Sequence, residues 1–165
     1  MNRPAITVYV VSHNYGQYLN QAVESVFSQT RTDWELIIID DGSKDDSAKL
    51  TELLRQREPH RTRIVVHGKP LGLQKSANEA LRLARGKYII RLDADDYFDE
   101  NAFLALGHYL DTHDKTVLVY PSYVYVDADG LQLGVEHRWR LGLDTLVFDQ
   151  PAHGACTMVR RRILK

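Results

Sequence analysis

Four short apolar runs, each separated from the next by a helical stripe, constrain the fold of this chain more than any other feature. Ile6 to Val11, Trp34 to Ile39, Arg63 to His67 and Lys87 to Leu92 are rich in β-branched residues and end in polar loops. Between them the apolar period changes. The first stripe runs Tyr15, Tyr18, Leu19, Ala22, Val23, Val26 and Phe27, the i, i+3, i+4, i+7 series of an amphipathic helix. A second helix follows the cap-type residues of Asp40 to Asp46, reaches about Arg57 and is stopped by Pro59. Leu73, Ala77, Ala80, Leu81 and Ala84 form a third stripe, with Gly86 suited to the C′ position. Asp99 is the expected N-cap of a fourth, marked by Ala102, Phe103, Leu106, Tyr109 and Leu110. This βαβαβαβ order with short connections predicts an α/β fold: a mostly parallel, doubly wound sheet covered by helices.

Beyond about Lys115 the pattern is different. Val117 to Val126 and Leu131 to Val135 flank Asp127 to Gly130, whose Asp-Gly step signals a hairpin. Leu141 to Phe148 has no decisive period, and His153 to Val159 reads as a further strand. The expected organisation is a single domain over residues 1–165, an α/β part to residue 115 followed by a short β-rich segment.

Composition narrows the function classes. With 21 Lys+Arg against 22 Asp+Glu, the formal charge of −1 offers nucleic acid no general attraction. A single cysteine, Cys156, excludes an intrachain disulfide and a thiolate metal cluster, and among small and apolar neighbours it reads as a buried hydrophobe. The apolar stretch before Ser12 is too short for a signal peptide, and nothing approaches the roughly 18 apolar residues of a spanning helix. The expectation is a cytoplasmic chain, at most peripheral to the inner face of a membrane. Arg160, Arg161, Arg162 and Lys165 read as a solvated basic face. Tyr120, Tyr123 and Tyr125 read as sheet residues.

Two of the strands end in acid: the second in Asp40 and Asp41, the fourth in Asp93, Asp95 and Asp96. Open α/β sheets bind ligands at the carboxyl ends of their strands. Closely spaced carboxylates repel one another unless a cation or a donor-rich ligand neutralises them. A hard divalent metal with a phosphate-bearing substrate meets both conditions. The same residues also serve as turn formers and helix caps, and the two uses are compatible.

Four segments occur in an order that resembles the GT-A-type glycosyltransferases of the large inverting family 2. They are Val11 to Leu19, Ile39 to Asp45, Gly72 to Asn78 and Ala84 to Asp96. His153 to Arg160 is a weaker echo of the strand that begins that family's acceptor region. The resemblance implies a role for each matching residue. Asp93-Ala94-Asp95 is similar to the metal-binding Asp-x-Asp motif, with Asp95 on Mn²⁺ or Mg²⁺ and Asp93 near the ribose or the metal. Asp41 looks like the aspartate that accepts the ring N–H of uracil, with Asp40 supporting its loop. Ser12, His13, Asn14 and Tyr15 match the loop that lines the nucleobase pocket, although Tyr15 also opens an apolar stripe. Lys75, near the start of a helix whose N–H groups face an anion, would reach a phosphate, and Asn78 completes that motif. Ala77 stands where the family often has arginine.

The resemblance further implies the nucleotide-diphospho-sugar transferase fold, with residues 1–115 as its nucleotide-sugar-binding part and 116–165 as an incomplete start of the acceptor side. It implies inverting transfer from a nucleotide-sugar donor, by expectation a UDP-sugar, to a hydroxyl on a glycan or lipid-linked acceptor in polysaccharide synthesis. Such transfer needs a general base. In the family the base lies beyond the strand that His153 to Val159 resembles, so it is expected past Lys165, and no motif marks Asp127, Asp129 or Asp144 for that role. Two rivals stand beside this reading: a non-catalytic nucleotide-sugar-binding module, and a sugar nucleotidyltransferase. The latter class has a Gly-rich basic loop after its first strand, which Ser12 to Gly16 is not.

Overall fold

The computed structural model describes residues 3–137 and 154–164. Its first half alternates strand and helix as expected: β1 (Ile6–Ser12), α1 (Gly16–Phe27), β2 (Trp34–Asp40), α2 (Ser47–Arg57), β3 (Thr62–Val66), α3 (Leu73–Leu83), β4 (Tyr88–Asp93) and α4 (Ala102–Thr112). Then come β5 (Leu118–Val119), the hairpin β6 (Tyr123–Val126) and β7 (Gln132–Glu136), and β8 (Met158–Arg160). Six strands form one sheet in the order β3-β2-β1-β4-β8-β5. The pairs β1–β2, β1–β4 and β2–β3 are parallel, while β8 runs antiparallel to both β4 and β5. No described helix is long and apolar enough to cross a membrane.

β2 is buried along its whole length, which is why it reads as a continuous apolar run rather than an alternation. Trp34, Leu36 and Ile38 of β2 join Ile6, Val8, Val10, Ile90 and Leu92 in the main core, packed against Leu19, Val23 and Val26 of α1 and Phe103 and Leu110 of α4. Full burial of a side chain such as Phe103 contributes about 1.5–3 kcal/mol. Its odd-numbered residues Ile37 and Ile39 pack with Tyr9, Val11 and Val65 against Ala80 and Leu83 of α3. Parallel register then fixes the carboxyl edge. Ser12 pairs with Asp40, and Val11 lies between Ile39 and Asp93.

Several local expectations are corrected. Tyr15 is exposed and precedes α1, so the buried stripe begins at Leu19. Leu73 is 47% exposed, and the buried positions of α3 are Ser76 and Ala80. Gly86 is not a C′ glycine. A Cβ there would lie 2.6 Å from the Thr7 nitrogen and 2.7 Å from the Tyr88 oxygen, so close approach of backbones is what requires glycine. The N-cap of α4 is Asn101, and Asp99 instead accepts the Asn101 N–H. The run from Val117 to Val126 is two strands in different sheets, broken around Pro121.

Arg160 is 3% exposed rather than solvated. Its guanidinium donates to the carbonyls of Leu110, His113 and Thr116, closing the C-terminal end of α4. Cys156 is half-buried against the main core with a φ of 58°. Of the strand expected over His153 to Val159, Met158 and Val159 lie in β8, while His153 lies outside the described residues, as does Leu141 to Phe148.

Candidate functional site

At the carboxyl edge of the sheet, the loops after β1 and β2 are joined by hydrogen bonds. The Asp41 N–H donates to the Ser12 carbonyl at 2.8 Å. Asn14 has a φ of 59°, a left-handed conformation that asparagine tolerates better than most residues. Its N–H donates to Ser43 Oγ at 2.9 Å, and its Oδ1 accepts the Lys44 N–H at 2.8 Å. The Gly16 N–H, at the first residue of α1, donates to Asp45 Oδ2 at 3.0 Å. His13 is fixed through Nδ1, 2.8 Å from the Asp41 carbonyl, with Asn14 Nδ2 3.1 Å from its Nε2. A bonded Nδ1–H leaves Nε2 as the acceptor in the neutral ring. Ser12, His13 and Asn14 therefore belong to one loop layer with Asp40 and Asp41. Exposed Tyr15 closes that layer with its ring 5.9 Å from Tyr18.

The two acids at the end of β2 have different jobs. Asp40 is buried, and its Oδ1 accepts the Ser43 N–H at 3.0 Å, shaping the turn into α2. Beside it in the sheet, Ser12 Oγ is buried with no hydrogen-bond partner among the described residues. Asp41 reaches the other way. Its Oδ1 lies 2.6 Å from His67 Nδ1 and accepts the Leu71 N–H at 2.9 Å, while Oδ2 accepts the Gly72 N–H at 2.8 Å. Burial pushes the Asp41 carboxyl upward, but these hydrogen bonds outweigh it and hold the group below its usual range. The N–H groups leading into α3 thus already face an anion, the Asp41 carboxylate. Gly42, with a φ of 72°, lets the two loops approach, since a Cβ there would lie 2.6 Å from the Lys69 carbonyl carbon.

Asp93 closes β4 beside Arg91. Arg91 Nε lies 2.8 Å from Asp93 Oδ1, and a terminal guanidinium nitrogen donates to Oδ2 at 3.2 Å. Ala94 is buried in the main core, while Asp95 and Asp96 are exposed in the turn that follows. Among the described residues, no three His, Cys, Asp or Glu side chains stand together as a ready-made metal cage.

Lys75 and Asn78 are both exposed on α3, and Asn78 faces a different space. A mainly apolar cleft of about 360 Å³ opens on the α3 side of the sheet, lined by Tyr9, Asn78, Leu81, Arg91, Gly154 and Val159. A groove of about 380 Å³ around Arg31, Asp33 and Asp111 lies away from the acid-ended strand tips. Its charges are paired with one another, Arg31 with both Asp33 and Asp111.

No sequence motif marks His67, Glu79 or Arg91 for the site. His67 Nε2 lies 2.9 Å from Glu79 Oε2, so the ring sits between two carboxylates. The Asp41 hydrogen bond, reinforced by Glu79, raises its pKa against the opposing effect of burial. The available signal was a polar ring directly after an apolar strand, at the edge where the acids gather. For Arg91 it was a cation two residues before an acid on one strand, and therefore on the same face.

The family model described as "Glycosyl transferase family 2" matches residues 7–165. The chain is 32% identical to a chondroitin synthase of Pasteurella multocida over 139 residues, which is 82% of this chain and 14% of that protein. It is 31% identical to the glycosyltransferase GlyG of Streptococcus pneumoniae over 125 residues, 76% of this chain and 41% of GlyG. The chain thus spans well under half of these curated relatives. Among solved structures, Staphylococcus aureus TarS 1–349 in complex with UDP superimposes with a TM-score of 0.75 at 17% identity, over 96% of this chain and 47% of that one. The mannosyltransferase PcManGT of Pyrobaculum calidifontis, in complex with GDP-Man and Mn²⁺, gives 0.67 at 20% identity, over 73% and 36%. These likenesses show the GT-A fold, with its mostly parallel sheet and helices.

Proposed function

The chain belongs to glycosyl transferase family 2, and from that premise we propose that it binds a UDP-sugar and transfers the sugar, with inversion, to a hydroxyl acceptor. One observation carries the reading. The ends of β1, β2 and β4 meet at a single sheet edge, bringing Ser12, Asp40, Asp41 and Asp93 together on adjacent strands. Switch points of this kind are where open α/β sheets take nucleotides. The joined Ser12–Tyr15 and Asp40–Asp45 loops would receive the base and ribose. A carboxylate offers about four lone-pair directions. The chain uses three of those on Asp41, which leaves one on Oδ2 for a base N–H.

The donor set suits Mn²⁺ or Mg²⁺ arriving with a diphosphate rather than a resident metal. Mg²⁺ is commonly held by one or two carboxylates plus substrate phosphates, and Asp93 with Asp95 supplies that number of oxygen-donor side chains at the end of β4. When bound, such an ion stabilises negative charge on the departing diphosphate. Asp95 would be its main protein ligand, and Asp93, shared with Arg91, would lie near the ribose or the ion. Lys75 and Asn78 would approach the donor from α3.

In the transfer itself the acceptor oxygen bonds to the anomeric carbon while the bond to the diphosphate oxygen breaks, and the acceptor proton passes to a carboxylate base. Asp127 is not assigned that role, because its Oδ1 already accepts the Asp129 and Leu131 N–H groups of the hairpin turn. Asp144 lies outside the described residues. A glycan acceptor is supported by the relatives named chondroitin synthase.

The test is product analysis with UDP-sugars and a GDP-sugar, with and without Mn²⁺. Metal-dependent release of UDP with a sugar joined to an acceptor, by a protein that includes the base segment expected past Lys165, is the expected result. Formation of pyrophosphate from a nucleoside triphosphate and a sugar phosphate would instead make the chain a nucleotidyltransferase. Binding with neither hydrolysis nor transfer to any acceptor, even in a protein that continues past Lys165, would make it a binding module.

A further inference from the structure

We propose that His67 is a positioning residue of the nucleotide site: as an imidazolium held between Asp41 and Glu79, it fixes the Asp41 carboxylate and the loop that carries Leu71 and Gly72 in the form that receives the nucleobase. This rests on the reading that Asp41 contributes to the nucleotide pocket.

The geometry begins with the backbone. The His67 N–H donates to the Asp40 carbonyl at 2.9 Å, extending the β2–β3 ladder by one residue and directing the ring toward Asp41. Nδ1 is 2.6 Å from Asp41 Oδ1 and Nε2 is 2.9 Å from Glu79 Oε2. Ionised carboxylates only accept hydrogen bonds, so both contacts need a donor, and only the charged imidazole has two. The charged groups acting on the ring are Asp41, from the loop after β2, and Glu79, from α3. The His67 side chain is 9% exposed and that of Asp41 5%, so water does not readily replace their contact.

Loss of one ring proton would leave one of the two carboxylates facing a lone pair. Oδ1 of Asp41 also holds the Leu71 N–H, so movement of that carboxylate loosens the approach to α3 together with the one acceptor direction left on Oδ2. The folded-state pKa of His67 is raised. The ordering is therefore complete at low pH and is lost as pH rises through that raised value.

The test is calorimetric titration of UDP at fixed Mn²⁺ from pH 6.5 to 8.5 on the chain and on H67Q and E79Q, with unfolding of each followed in parallel. Ratios between variants at each pH cancel the titration of the nucleotide and the metal. The expected result is about tenfold weaker binding by H67Q at pH 6.5, an effect of the size seen when a charged hydrogen bond is lost, and a gap that narrows toward pH 8.5. E79Q removes the demand for a second donor, so it should keep the affinity at pH 6.5 and flatten the loss of affinity toward pH 8.5. This arm stands even if H67Q fails to fold. Wild-type affinity and pH profile in both variants would overturn the proposal while leaving the nucleotide reading intact. Failure of the unaltered chain to bind UDP at any pH would overturn both.

Discussion

Arg91 and Asp93 stand two residues apart on β4, with Arg91 Nε 2.8 Å from one carboxylate oxygen of Asp93 and a terminal nitrogen 3.2 Å from the other. The acid that the proposed metal site draws on is therefore already engaged by a cation of the chain itself. A divalent ion must share Asp93 with this guanidinium or displace it. A partly exposed pair of this kind is worth about 1 kcal/mol. Arg91→Met should accordingly raise the Mn²⁺ affinity of the nucleotide-free chain about fivefold, read from the free-ion signal in electron paramagnetic resonance. Unchanged affinity would mean that Asp93 takes no part in holding the ion.

Gly42 is the point where the loop after β2 meets the loop after β3. An alanine there would combine a left-handed φ of 72° with a Cβ 2.6–2.9 Å from the Lys69 and Pro70 backbone. Gly42→Ala should cost about 1–3 kcal/mol of stability, measured as a lower urea midpoint. It should also weaken UDP binding, because the same contact holds Asp41 in register with Leu71. An unchanged midpoint would show that the two loops are free to separate.

The opposite end of the sheet holds a second set of hydrogen-bonded carboxylates. Glu35 is buried, and its carboxylate accepts the Thr7 hydroxyl, the Arg85 N–H and the Arg85 guanidinium. Burial pushes its pKa up, but these bonds prevail and lower it. Asp111 is likewise pushed up by burial and brought down further by Lys87, Tyr88 and Arg31. Groups with depressed folded pKa values lend stability that is complete above their unfolded values near 4 and is lost as pH falls below them. Unfolding free energy should therefore fall as pH drops from about 5 to 3. Glu35→Gln should be about 1–3 kcal/mol less stable at neutral pH, with the gap to the unaltered chain closing in acid and UDP affinity unchanged. A gap that stays constant with pH would contradict the assignment.

The alternation of strand and helix was legible because it rests on periodicity, which survives without knowledge of partners. Trp34–Ile39 reads as a buried strand whatever packs on it. The acids at the strand ends were legible for the same reason, since parallel strands carry Asp40 and Asp93 to one edge regardless of loop detail. Contacts across the fold were not. Nothing local to Gly86 tells close approach from a helix cap, because both favour glycine and only the packing against Thr7 separates them. Arg160 read as solvated because a basic run usually is, yet the carbonyls ending α4, distant in sequence, take its guanidinium. His67 is the site's counterpart. Its two carboxylate partners lie 26 and 12 residues away, and no spacing rule joins them.

A donor site built from the ends of β1, β2 and β4 stands or falls on calorimetric titration of UDP with and without Mn²⁺, repeated on Asp95→Ala. Binding should strengthen with the metal in the unaltered chain and lose that metal dependence in the variant. Equal binding by both proteins under both conditions, or none at all, would contradict it.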